Sequence, residues 1–172
     1  APFSVDNVAF ALGDRRDEVR EATRRRLGIG EEAMVAVFAS KLILRKRAAD
    51  LLAAFSRICE SHPNAVVIIV GSGPEEAVLR TAAVSLGTRV LFVGFQNQSE
   101  LPALFAASDV FVLPSSDEPW GLVVNEAMAS GLPVIVSDDV GAAPGLVYGK
   151  ETGRVYPVGD IARLADSLSE LF

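Results

Sequence analysis

AVVIIVGSGPEEAVLRTAAVSL (65–86) is the stretch whose pattern decides the fold. Its opening run, AVVIIVG (65–71), is apolar throughout and β-branched, and its closing run, EEAVLRTAAVSL (75–86), repeats apolar side chains at spacings of three and four. A strand that is apolar on both faces must be covered on both faces, as parallel strands under helices are. The same pairing recurs on either side. Strand patterns occur at MVAVFAS (34–40), RVLFVG (89–94), DVFVLP (109–114), LPVIVS (132–137) and, more weakly, GRVYP (153–157). Helical patterns lie between them at AADLLAAFSRICE (48–60), SELPALFAAS (99–108) and GLVVNEAMAS (121–130). The expectation is one α/β domain over residues 1–172, a Rossmann-like doubly wound parallel sheet of about six strands with helices on both faces.

Composition agrees with a packed globule: half of the 172 residues are hydrophobic and 22% are charged. The net charge of −6 argues against general nucleic-acid binding through a basic surface. It is unevenly spread, since residues 1–50 carry 10 basic and 8 acidic side chains while residues 51–172 carry 6 and 14. The single cysteine, Cys59, sits in a helical run and reads as a buried structural thiol, which fits a reducing, cytoplasmic setting. No apolar run is long enough to span a bilayer, and the first residues lack the basic-then-apolar order of a signal peptide.

Doubly wound sheets bind ligands beyond the carboxyl ends of their strands, so polar residues there carry the functional signal. After the first strand, SKLILRKR places Lys41, Arg45, Lys46 and Arg47 within seven residues. This is either a solvated loop or an anion site, and the position of Lys41 and Lys46 at a strand end favours the anion. Arg24, Arg25 and Arg26 follow acids by three or four residues in a helical run and read as a solvated, ion-paired face. After the second strand, Gly71 and Gly73 offer close backbone approach to a ligand. Glu76 breaks the dinucleotide fingerprint there, and the first strand has no glycine turn, which disfavours nicotinamide or flavin.

The loop after the fourth strand is the richest: LPSSDEPWGLVVNEAMAS (113–130). A helix starting at Gly121 or Leu122 would leave the N–H groups of Gly121, Leu122 and Val123 free for an anion. Glu126 lies one turn further on a helix that is apolar over most of its circumference, so its carboxylate needs a polar partner. Glu118 reads either as an acid complementing the helix dipole or as a ligand contact, Glu126 as a structural hydrogen-bonder or a ligand contact, and Trp120 as packing or site. His62, alone in ESHPN, reads as a surface turn, and no Asp-x-Asp occurs, so no metal site is expected.

These residues resemble a known family. EPWGLVVNE (118–126) is similar to the E-x7-E signature of retaining GT-B glycosyltransferases, notably family 4. SKLILRK (40–46) resembles that family's G-R-L-x-x-x-K loop, VGSGP (70–74) its V-G-x-G-P, and ETGRVYPVGD (151–160) its E-T-G-x-x-x-x-x-G-D tail. The strand–helix–strand run VLFVGFQNQSELPALFAASDVFVLPS (90–115) matches in order as well, so the resemblance covers nearly the whole chain.

The resemblance implies the C-terminal half of a GT-B fold, the domain that binds a nucleotide-diphosphate sugar linked to UDP, GDP or ADP. It implies that Lys41 and Lys46 neutralise the diphosphate, that Glu118 contacts the donor sugar, and that Glu126 binds the ribose hydroxyls. It further implies that Trp120, Gly121 and Leu122 hold sugar and phosphate oxygens, and that Phe95 and Gln96 lie beside the base. A bacterial, cytoplasmic, metal-independent retaining enzyme with no cofactor is expected. The resemblance implies an N-terminal acceptor domain absent from this chain, to which APFSVDNVAF (1–10) would connect. Alone, this half would bind nucleotide without turnover. Because many relatives glycosylate lipids, peripheral membrane contact through the absent half is a further expectation. Four positions depart from the pattern: Lys41 replaces an arginine, Arg47 and Pro119 replace glycines, and Gly145 stands where an acid is common. A non-catalytic nucleotide-binding or regulatory α/β domain, and a GT-B relative such as a nucleotide-sugar epimerase or a phosphorylase, are the alternatives.

Overall fold

A computed structural model describes residues 5–172, so residues 1–4 of the expected connecting segment lie outside the described residues. The chain runs α1 (Asn7–Ala11), α2 (Arg16–Leu27), β1 (Met34–Ala39), α3 (Ala48–Ile58), β2 (Ala65–Val70), α4 (Glu76–Ala82), β3 (Val90–Gly94), α5 (Leu101–Ala106), β4 (Val110–Leu113), α6 (Leu122–Ala129), β5 (Val134–Ser137), α7 (Ala143–Leu146), α8 (Gly149–Thr152), β6 (Gly153–Tyr156) and α9 (Ile161–Leu171). All six expected strands are present, and they pair parallel in the order β3-β2-β1-β4-β5-β6.

The apolar strands are covered as their composition requires. Helices α3, α4 and α9 pack together on one face, and α1, α2, α5 and α6 on the other. Val35, Val37, Ile68, Phe111, Val112 and Ile135 are fully buried between them. Burying side chains of this size contributes about 1.5–3 kcal/mol each before the cost of ordering the chain. The Phe105 and Phe111 rings meet edge-on at 5.8 Å and 76°, which seats the crossover helix α5 on β4. Cys59 is buried, in line with a structural thiol.

Two local expectations are corrected. The helical pattern over 75–86 stops at Ala82 and gives way to a 3-10 segment, Val84–Arg89, which is itself kinked where Gly87 takes φ +59°, ψ −134°. Arg24 does not lie on a solvated face. It is 4% exposed, and its guanidinium donates to the carbonyls of Ala107, Gly30, Glu31 and Ala33 and to Asp109 Oδ2. Burial pushes its pKa down while the nearby Asp109 carboxylate opposes that shift. Arg25 behaves as expected, three-quarters exposed and 3.9 Å from Glu21.

The strand order reverses between β1 and β4. In an open parallel sheet that is where the connections leave in opposite directions and a crevice opens beyond the strand ends. No helix among the described residues is long and apolar enough to cross a membrane.

Candidate functional site

The crevice holds a cleft of about 460 Å³, floored by the ends of β1 and β2. The β1 loop contributes Lys41 and Lys46, the end of β2 contributes Gly71 and Ser72, and the segment after β3 contributes Phe95 and Gln96. The loop entering α6 adds Glu118, Gly121, Leu122 and Val123, and α6 itself adds Glu126. Nine of the eleven sequence-derived site residues thus line one cleft. A roomier hollow of about 830 Å³, at the opposite end of the sheet between Gly30, Pro63 and Arg89, contains none of them.

Hydrogen bonds between loops hold the two sides of the cleft together. Lys46 ends a 3-10 turn, Leu44–Lys46, and is 8% exposed. Beside it the Ser116 N–H donates to the Arg45 carbonyl (2.7 Å), and Arg45 Nη1 donates to the Asp117 carbonyl (2.8 Å). Arg47, standing in place of the family's glycine, takes a left-handed φ of +50° and is held by Asp50 Oδ2 at 2.7 Å. The Glu118 main chain is strapped on both sides to the loop after β5: its N–H donates to the Asp139 carbonyl (3.2 Å), and its carbonyl accepts from the Gly141 N–H (2.9 Å). A Cβ at Gly141 would fall 2.1 Å from the Pro119 carbonyl oxygen, so that close approach needs glycine.

The charges in the cleft are only partly neutralised. The Lys46 ammonium and Glu118 Oε2 form an ion pair whose side chains are 11% and 10% exposed. Glu126, 6% exposed, accepts a 2.8 Å hydrogen bond at Oε1 from Gln98 Nε2. Burial raises the Glu126 carboxyl pKa above its ordinary value, and the Gln98 hydrogen bond partly offsets that. The exposed Lys41 ammonium has no acidic partner among the described residues. Gly121 takes φ +86° and starts α6 without a side-chain cap. The N–H groups of Gly121, Leu122 and Val123 have no acceptor among the described residues. Two cations and an uncapped helix start in one cleft can accept a polyanion.

Two sequence-derived residues stand apart from the cleft. Trp120 donates its Nε1–H to Asn125 Oδ1 (3.0 Å), and its carbonyl accepts from Ala142, which anchors the loop to α6 and to the loop after β5. Gly73 is required by the β1 loop, since a Cβ there would lie 2.3 Å from the Leu42 carbonyl oxygen. Gly71 reaches the cleft, but its missing side chain makes room for Ser40, whose carbonyl oxygen would lie 1.9 Å from a Cβ. Both glycines thus also serve an approach of two loops, with Gly71 lining the cleft and Gly73 outside it. Gln98 was not singled out from sequence. FQNQ (95–98) offers three amides after β3, and only the packed turn decides which one meets Glu126.

The sequence pattern of the family described as "Glycosyl transferases group 1" matches residues 19–172. The GDP-mannose-dependent alpha-(1-6)-phosphatidylinositol monomannoside mannosyltransferase of Mycobacterium tuberculosis is 36% identical over 180 residues, spanning 99% of this chain and 45% of that protein. The crystal structure of Anabaena HepE in complex with UDP-glucose superposes with a TM-score of 0.78 at 29% identity, over 89% of this chain and 42% of that one. The C-terminal domain of LpcC from Francisella tularensis, at 23% identity, shares the fold with a TM-score of 0.82 over 98% of this chain and 87% of that domain. This chain spans less than half the length of the curated relatives it matches.

Proposed function

The chain belongs to the group 1 glycosyl transferases, and from that premise we propose that it is the donor-binding half of a retaining glycosyltransferase, holding a nucleotide-diphosphate sugar in the cleft between β1 and β4. The observation that carries the reading is the meeting of Lys41 and Lys46 with the uncapped start of α6 in that cleft. Breaking the anomeric C–O bond leaves the electron pair on the leaving phosphate and positive charge on the sugar ring. The two ammonium groups and the N–H groups of Gly121 and Leu122 meet the negative charge, so no metal ion is assigned to it. Lysine in place of arginine at position 41 keeps the charge without the bidentate fork, which lowers the affinity of that contact.

In the same reading Glu118 accepts hydrogen bonds from donor-sugar hydroxyls and Glu126 from the ribose hydroxyls. Phe95, 70% exposed at the rim, and Gln96 border the base. The acceptor enters from a further domain of a longer, cytoplasmic protein, and closure of that domain over the cleft excludes water, so this half alone binds without turnover. Retention rests on the resemblance of Glu118–Glu126 to the E-x7-E signature.

The test is nuclear magnetic resonance titration of the 15N-labelled chain with UDP, GDP and ADP. One nucleotide is expected to bind with Kd of roughly 0.1–1 mM, about −4 to −5.5 kcal/mol. Its shifts should cluster at 41–46, 95–98 and 118–126. Shifts confined elsewhere, or none at millimolar nucleotide, would overturn the reading. An inverted anomeric centre in the product of the longer protein would overturn retention alone.

A further inference from the structure

We propose that the ion pair between Lys46 and Glu118 makes Glu118 the residue that discriminates an intact nucleotide-sugar from the spent nucleoside diphosphate. This rests on the donor reading of the cleft and deepens it.

The two side chains neutralise each other inside the site that has to receive a polyanion. Their backbones are fixed. Lys46 sits in a turn laced to Ser116 and Asp117, while Glu118 is strapped between Asp139 and Gly141. Gly141 leaves no space for that strap to be rebuilt around a side chain. The pair therefore separates only by side-chain movement. When a diphosphate draws the Lys46 ammonium to itself, the Glu118 carboxylate is left nearly buried, without its cation and next to an anion. A buried carboxylate in that state is costly unless hydrogen-bond donors reach it. A nucleotide-linked sugar brings hydroxyl donors to that point. A free nucleoside diphosphate ends in phosphate oxygens, which at neutral pH are acceptors. The intact donor thus repairs what its diphosphate breaks, and the spent nucleotide does not, which favours its release.

Glu126 supplies the internal comparison. It is the other nearly buried carboxylate of the cleft, and it accepts from the neutral amide of Gln98 rather than from a lysine. A general effect of negative charge in the cleft would act through both acids, whereas the discrimination assigned to the ion pair acts through Glu118 alone.

The experiment is calorimetric titration of the 172-residue chain with UDP and UDP-glucose and with GDP and GDP-mannose, in the wild type, Glu118→Gln, Glu118→Ala and Glu126→Gln. In the wild type the sugar-linked form of the bound nucleotide is expected to bind more tightly than its diphosphate. Both Glu118 variants should tighten the diphosphate by roughly threefold to tenfold, the range that a partly buried pair of modest net worth supports. The sugar-linked form should gain nothing, so the preference collapses. Glu126→Gln should weaken the diphosphate, because its contact with the ribose hydroxyls is lost. Because the alanine and glutamine variants probe the same loss, a folding defect in one leaves the other to decide. Unchanged or weaker diphosphate binding in both Glu118 variants, or an equal tightening in Glu126→Gln, would overturn the proposal. Binding of none of the four ligands by the wild-type chain would overturn the donor reading and this inference with it.

Discussion

Among the described residues, charge is buried in two places, at opposite ends of the same sheet, and the two clusters differ in how completely they are satisfied. At the amino end of β4, Asp109 accepts from Arg20 (2.6 Å), from Arg24 (3.0 Å) and from the Val35 N–H (2.7 Å). Arg20 Nη1 also donates to the Ala106 and Ser108 carbonyls at the α5–β4 connection, and Arg24 Nε and Nη1 donate to carbonyls of that connection and of the turn before β1. At the carboxyl ends, Lys46 and Glu118 hold only each other, Glu126 holds one amide, and three N–H groups at the start of α6 have no acceptor among the described residues. The acid of the first cluster is met by three donors of its own chain, whereas the second cluster keeps charge and donors that its own chain does not meet. Buried charge that is saturated by its own chain serves the fold, and buried charge left partly unmet marks where a ligand completes the set.

That contrast can be broken by removing groups from each end. The largest effect is expected from Asp109→Ala, which strands two arginines and the Val35 N–H and should cost about 3–5 kcal/mol in denaturant unfolding. The double variant Lys46→Met with Glu118→Gln removes the site pair together. It should stay within about 1 kcal/mol of wild type by the same measurement while losing on the order of tenfold in nucleotide affinity by titration. A large stability loss there would erase the distinction between the two clusters.

Glu126 sharpens the comparison through pH. Its carboxyl pKa is raised on folding, so the folded state holds the proton more tightly and stability falls as pH rises from the unfolded value through the raised one. Glu126→Gln lacks that slope, so its melting temperature relative to wild type should climb as pH rises above the ordinary carboxylate value of about 4.3. Gln98→Ala should move the acid limb of nucleotide binding to higher pH, because the hydrogen bond that favours the carboxylate is gone. Arg25→Ala is the smallest change, within about 0.5 kcal/mol, since its exposed pair with Glu21 is worth little.

These residues also show what could be read from sequence. Strands apolar on both faces, with helical periodicity between them, were enough for the sheet and its layers, because burial on two sides leaves few other arrangements. The cleft residues were legible where chemistry and position coincide: Lys41, Lys46 and Glu118 lie in loops beyond strand ends, and Glu126 is an acid inside an otherwise apolar helix. Arg24 was misread because its neighbours Arg25 and Arg26 and the acids before them make a surface pattern, and only the packing of α2 against α5 turns one of the three inward. The closeness of Gly71 and Gly73 to the β1 loop is a contact between segments some thirty residues apart, which no local pattern shows. The pairing of Lys46 with Glu118 spans 72 residues and was equally out of reach.

The most direct test is ligand-induced thermal stabilisation of the wild-type chain and of Lys46→Met, measured with the nucleotide that binds. At about ten times Kd the wild type should gain roughly 1.4 kcal/mol, a rise in melting temperature of about 3–5 °C. Lys46→Met should show almost none at the same concentration. A rise of equal size in both would place the ligand away from the partly satisfied cluster and contradict the account.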